Sequence, residues 1–172
     1  MKIDVKYGKD SQSVEIPERN FIGTFYPRDV KCSPPSDVIN ASIENPLGSE
    51  NLQEFLKGGK DIVFILNDGT RPTPTARVLD ALSEKMDLRT ARYIIATGNH
   101  RAPNEEEYDF IFGSHYNNLK DRIIVHDSNK SECVYLGTSK NGTPMNVNKI
   151  AVDSDRLVII TSVEPHYFAG YT

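Results

Sequence analysis

Apolar and polar positions alternate near the start of the chain and change period further on. Ile3, Val5 and Tyr7 alternate with polar residues. Val14 and Ile16 do so again after a turn at 8–11, which predicts a β-hairpin. Phe21, Ile22, Phe25 and Tyr26 form an apolar patch, and 27–35 is a connector ending in two prolines. A short helix is predicted over 37–44, capped by Ser36, with Ile39 and Ile43 one turn apart. Asn45-Pro46-Leu47-Gly48 is a turn. Ser49 then opens a second helix, with Leu52, Phe55 and Leu56 on one face and Gly58-Gly59 as its stop.

From residue 62 the chain reads strand, loop, helix. The unbroken apolar run at 62–66 suits a parallel strand covered on both faces. In the segment NDGTRPTP, Thr73 is placed as an N-cap with Pro74 at the first helical position. Leu79, Leu82 and Met86 then keep helical spacing. A second buried strand runs through Tyr93, Ile94 and Ile95 and ends at Thr97 and Gly98. Asn104 and Glu107 match a capping box, with acidic residues at 105–107 at the positive end of the helix dipole and Gly113 as the stop. Further strands are predicted at 123–125 and around Val134 and Leu136, a tight turn at Asn141-Gly142, and a short helix over 147–152. The last buried strand is expected at 157–160. The fold class is therefore α/β: a mainly parallel sheet flanked by helices, Rossmann-like, with an N-terminal antiparallel hairpin.

Composition narrows the function classes. With 172 residues, one domain with a sizeable core is expected. The net charge of -4 supplies no basic field, so nucleic acid is not an expected partner. No apolar run approaches the roughly 20 residues needed to span a bilayer, and the N-terminus has no secretory pattern. No membrane partner and a cytoplasmic location follow as expectations. Cys32 and Cys133 lie far apart outside any metal or redox motif, and read as two reduced thiols.

Three predicted strands are each followed by a loop with polar or titratable residues. These are Asp68-Gly69-Thr70-Arg71, Gly98-Asn99-His100-Arg101 and Glu164-Pro165-His166. In a parallel sheet all three loops share one edge, where ligands bind in open α/β folds. Arg71 precedes a helix N-terminus and offers two-pronged recognition of a carboxylate or phosphate. Taken alone, the same loop also reads as ordinary turn chemistry. His100 and His166 can exchange protons near neutral pH. His115 and His126 are assigned no role. A zinc site on His100 and His166 lacks a third ligand and ligand spacing, so no metal ligand is named. Ser114 and Ser162 lack a nucleophile-elbow setting, which leaves a hydrolase without support.

The segments DGTRPTP, IIATGNHR with its downstream Glu-Glu, and VEPHYFAG together resemble the nickel-pincer-nucleotide lactate racemase family. ENPLGS at 44–49 resembles that family's N-terminal region. The resemblance covers almost the whole chain and implies residues 1–172 as the N-terminal α/β domain of a two-domain racemase. It implies a nickel-pincer nucleotide cofactor, which takes hydride from a small 2-hydroxy-acid substrate, and His100 and His166 as the catalytic acid/base pair. It matches Asp68, Gly69, Thr70 and Arg71 to the loop that touches cofactor or substrate. The chemistry agrees: racemisation needs an acid/base on each side of the reacting carbon. No side chain accepts a hydride, so a cofactor must. Gly69 stands where lactate racemases commonly carry a histidine, and Asn99 also departs from the pattern, which widens the expected substrate to other 2-hydroxy acids, sugar acids included. In the family a Gly-Gly-Arg-Lys stretch follows, whose lysine bonds the cofactor. That lysine, the nickel-binding histidine and the C-terminal domain fall outside residues 1–172. This length alone is expected neither to bind the cofactor nor to turn over. A homo-oligomer stays open. The alternative class is a non-catalytic anion- or nucleotide-binding α/β domain.

Overall fold

A strand with five consecutive apolar residues is stable only if both of its faces are covered. The computed structural model, which describes residues 1–166 and 170–171, shows how this chain does so. Two compact units are present, Met1–Cys32 and Ser33–Thr172.

In the first unit, β1 (Lys2–Tyr7) pairs antiparallel with β2 (Asp10–Glu15), in register from Lys2↔Glu15 to Tyr7↔Asp10. The tight turn uses Gly8 at φ +63°, a backbone conformation open to glycine. Two bonds of 2.8 Å between Met1 and Ile16 extend the ladder by one pair. The predicted hairpin is thus present.

The second unit is built on a four-stranded sheet of order β5-β4-β3-β8, parallel throughout. Its strands are β3 (Ile62–Asn67), β4 (Ala91–Ala96), β5 (Ile123–Val125) and β8 (Arg156–Ile160). Five helices contribute to the core on one face: α1 (Pro35–Glu44), α2 (Leu52–Leu56), α3 (Thr75–Ser83), α4 (Glu105–Phe112) and α5 (Tyr116–Leu119). Alternation along β3 sends Ile62, Phe64 and Leu66 into that core. Val63 and Ile65 go to the opposite face, against Ile150 and Ala151 of α6 (Lys149–Asp153). Burying each large apolar side chain contributes about 1.5–3 kcal/mol. Tyr93 sits at the centre. Its ring stacks on Phe64 at 5.6 Å and meets Phe112 edge-on at 5.9 Å, while its hydroxyl donates to the Leu88 carbonyl at 2.8 Å.

Between β5 and α6, β6 (Cys133–Thr138) and β7 (Pro144–Asn148) form a hairpin with the expected Asn141-Gly142 turn. After β8, β9 (Pro165–His166) and β10 (Gly170–Tyr171) pair antiparallel. The part of VEPHYFAG at 167–169 lies outside the described residues.

Several sequence expectations are corrected in detail. Helix α1 begins at Pro35 with Pro34 as N-cap, not at 37 behind Ser36, because proline at the first position needs no N–H partner and has its φ preset. Asn51, not Ser49, caps α2; its side chain accepts from Glu54 N–H at 3.0 Å. Residues 147–148 stay in β7, and the helix starts at Lys149, where the Asn148 side chain accepts from Ile150 N–H at 2.9 Å. Strand β8 is only half covered. Val158 and Ile160 join the core, but Leu157 and Ile159 are exposed, because β8 is an edge strand and no described residue covers its second face.

Candidate functional site

Parallel strands end together, so the loops after β3, β4 and β8 emerge at one edge of the sheet. Asn67, the last residue of β3, ties two of them. Its amide donates to Thr73 Oγ1 at 2.7 Å, and its carbonyl oxygen accepts from Thr161 Oγ1 at 3.1 Å. Thr73 Oγ1 in turn donates to Ser162 Oγ at 3.2 Å. This corrects the expected cap. Thr73 is buried and committed to the cross-loop network, and α3 starts at Thr75 behind Pro74, with no side-chain cap.

Asp68 is the centre of the site. It is 5 % exposed, yet both carboxylate oxygens are satisfied. Oδ1 accepts from the Thr70 N–H at 3.0 Å and the Thr70 hydroxyl at 2.6 Å, and Oδ2 lies 2.6 Å from His100 Nδ1. Burial pushes the carboxyl up, but the hydrogen bonds from Thr70 and His100 outweigh it and hold Asp68 below the ordinary carboxylate range. The loop closes with Arg71 N–H on the Asp68 carbonyl at 3.2 Å.

His100 is brought to Asp68 by a turn in which its N–H donates to the Thr97 carbonyl at 2.9 Å, with Gly98 at φ +58°. Its side chain is about half exposed. An ionised, hydrogen-bonded Asp68 accepts the Nδ1 proton and leaves Nε2 as the ring nitrogen available for proton exchange. The dyad is therefore oriented as a general acid/base with a carboxylate behind it.

Arg101, the next residue, is taken up locally. Its guanidinium forms two bonds to Glu107, at 2.7 and 3.0 Å, and one to the Ala102 carbonyl at 2.9 Å. Glu107 Oε2 also accepts from Asn104 N–H at 2.8 Å, while Asn104 Oδ1 accepts from Glu107 N–H at 2.9 Å. The capping box read from the sequence is present. Arg101 and the Asn104 N–H keep the Glu107 carboxyl below the ordinary range.

These groups line a recess of about 210 Å³ formed by Asp68, Gly69, Thr70, His100, Arg101 and Glu107, with Pro103. On the other side of the His100 loop a polar recess of about 520 Å³ reaches His126 and Asp127. A larger groove, about 840 Å³, is apolar and runs along β8 toward Ile43 and Phe55, with none of these titratable groups in its wall.

The remaining sequence candidates fall into place unevenly. Gly69 and Thr70 lie in the recess wall. Arg71 is in the same loop, exposed, and among the described residues no carboxylate pairs with its guanidinium. His166 follows β8 on β9 and is half-buried. His115 is paired with Asp80 at 2.8 Å, and His126 with Asn148 at 3.0 Å. Among the described residues no three His, Cys, Asp or Glu side chains are grouped to hold a metal ion. Sequence reasoning missed Asn67, Thr73 and Glu107 as builders of the edge. The Asx-turn signal in Asn-Asp-Gly-Thr pointed to the Thr70–Asp68 bonds.

Residues 7–172 match the family model described as lactate racemase N-terminal domain. The chain is 34% identical over 179 residues to a lactate racemase of Thermoanaerobacterium thermosaccharolyticum and 29% identical over 179 residues to one of Lactiplantibacillus plantarum. In each case 99% of this chain is aligned with 42% of the relative, so the chain spans less than half the length of these relatives. The solved structure of the lactate racemase apoprotein from T. thermosaccharolyticum superposes with a TM-score of 0.80 at 32% identity, covering 100% of this chain and 41% of that one.

Proposed function

This chain belongs to the lactate racemase family, and on that premise we propose that it is the N-terminal catalytic domain of a nickel-dependent racemase or epimerase of 2-hydroxy acids, working in the cytoplasm. The observation that carries the reading is the Asp68–His100 hydrogen bond of 2.6 Å at the carboxyl edge of the sheet. His100 Nε2 takes the hydroxyl proton of the substrate as the carbon is oxidised and returns it as the carbon is reduced. Asp68 stabilises the charged imidazole that forms between those events. His166 does the same for the opposite enantiomer. Arg71, free of a carboxylate partner among the described residues, binds an anionic group of substrate or cofactor.

The nickel-pincer nucleotide suits this edge in one respect: an anionic nucleotide fits the exposed guanidinium beside the loop formed by Asp68, Gly69 and Thr70. Among the described residues no three His, Cys, Asp or Glu side chains are grouped to hold the metal itself. When bound, the group supplies the hydride acceptor that side chains lack. No helix of the described residues is long and apolar enough to cross a membrane.

The test is interconversion of the enantiomers of 2-hydroxy acids, from lactate to sugar acids, by the native full-length gene product loaded with cofactor. His100→Ala and His166→Ala should each lower kcat by about 10²–10⁴-fold, the usual contribution of a general acid/base. A rate within a few-fold of wild type in both variants refutes the assignment. The second reading, an anion-binding domain without redox chemistry, rests on the free Arg71 guanidinium. Binding of mononucleotides that survives loss of both histidines but not Arg71→Ala, with no racemisation, would favour it.

A further inference from the structure

Nothing in the backbone at residue 69 demands glycine, since its φ is not among the positive ones. The space around it does. A Cβ placed on Gly69 would lie 2.6 Å from Glu107 Cβ, 2.7 Å from its Cγ and 3.2 Å from its Cδ. Rotating the Glu107 side chain relieves the last two contacts but not the first, so the loop and α4 would have to move apart. Glu107 therefore lies flush against the loop that carries Asp68. Its carboxylate meanwhile holds Arg101, the neighbour of His100, by a two-pronged ion pair. One side chain thus touches both loops whose tips meet in the Asp68–His100 bond.

A cap alone accounts for the contacts of Glu107 with Asn104. It accounts neither for the packing on Gly69 nor for the pairing with Arg101. An ion pair this exposed adds little stability, but its bidentate geometry fixes direction. We propose that Glu107 is a positioning residue for His100: through Gly69 and Arg101 it sets the separation of the two loops. The inference rests on the reading of His100 as the acid/base of the reaction.

The first experiment needs no cofactor. The carboxyl group of Asp68 is titrated by ¹³C NMR in the wild type and in Glu107→Ala, Asn104→Ala and Gly69→Ala. Loosening the loops weakens the hydrogen bond from His100, so Gly69→Ala, which changes no charge, should move the Asp68 midpoint up toward the ordinary carboxylate value, whereas in Glu107→Ala the loss of a carboxylate that repels Asp68 works against that rise. Asn104→Ala removes the other half of the cap and should lower Tm while leaving that midpoint in place. Adding Gly69→Ala to Glu107→Gly should move the midpoint no further, because the obstacle is gone. Glu107→Gln keeps the bulk and a cap acceptor. It stands in should Glu107→Ala fail to fold, with a smaller fall in kcat in the loaded gene product.

In the cofactor-loaded gene product, Glu107→Ala should lower kcat about tenfold with little change in KM, and Asn104→Ala should keep kcat. An Asp68 midpoint that stays put in Gly69→Ala, with kcat kept in Glu107→Ala while Tm falls as in Asn104→Ala, would reduce Glu107 to a helix cap and overturn the inference. That outcome is distinct from failure of the catalytic reading, which shows as unchanged turnover in His100→Ala whatever Glu107 does.

Discussion

Replacing Asp68 by asparagine tests the orientation of the dyad with almost no change in volume. In the wild type, Oδ1 is occupied by two donors from Thr70, and Oδ2 accepts from His100 Nδ1. An amide at 68 keeps its carbonyl oxygen toward the Thr70 donors and turns its NH₂ toward His100. Nδ1 must then accept, which moves the ring proton to Nε2, the atom that has to act as base. Two losses combine. A hydrogen bond to a charged group is worth about 1.5–3 kcal/mol, and each 1.4 kcal/mol is tenfold in rate. Loss of support for the charged imidazole alone therefore costs roughly 10- to 150-fold. The wrong tautomer adds to this, and a carboxylate-to-amide change behind a general-base histidine costs about 10⁴ in total where it has been measured in hydrolases. The expected fall in kcat for Asp68→Asn lies between about 10² and 10⁴. The assay is racemisation by the loaded gene product, with the His100 tautomer read from ¹⁵N chemical shifts. A kcat within about threefold of wild type, or an Nδ1-protonated ring in the variant, would refute the reasoning.

Two further predictions concern stability. Asp68 has a folded-state carboxyl below its unfolded value, so its contribution is present above about pH 3.9 and is lost as pH falls through the lowered folded value. Thermal melts below pH 4 should therefore fall less steeply in Asp68→Asn than in wild type, and equal slopes would contradict the assignment. Tyr93→Phe removes the donor to the buried Leu88 carbonyl and should cost about 1–3 kcal/mol. That is a drop of roughly 2–4 °C in Tm for each kcal/mol, and a variant melting within a degree of wild type would mean the carbonyl finds another partner.

Much of the sheet was legible because burial leaves a periodic trace. The run at 62–66 and the bulk at 93–95 announced buried strands, and the structure places both at the middle of the sheet. The run at 157–160 left the same trace, yet β8 is an edge strand with Leu157 and Ile159 exposed. Apolar continuity reports that a strand can be buried on two faces; it does not report whether a covering element is at hand. Local chemistry was legible for the same kind of reason. Asn104 and Glu107 cap a helix through contacts three residues apart, and such contacts are written in spacing. Thr73 shows the boundary of that logic. Local rules make it a cap, but its hydroxyl bonds Asn67 and Ser162, the latter 89 residues away. The same holds for Gly69, whose missing side chain answers to Glu107, 38 positions on by residue number. The edge is therefore assembled by tertiary bonds that outcompete local ones. The step from three plausible loops to one dyad had to come from the register of parallel strands together with the turn at Gly98, which set Asp68 beside His100.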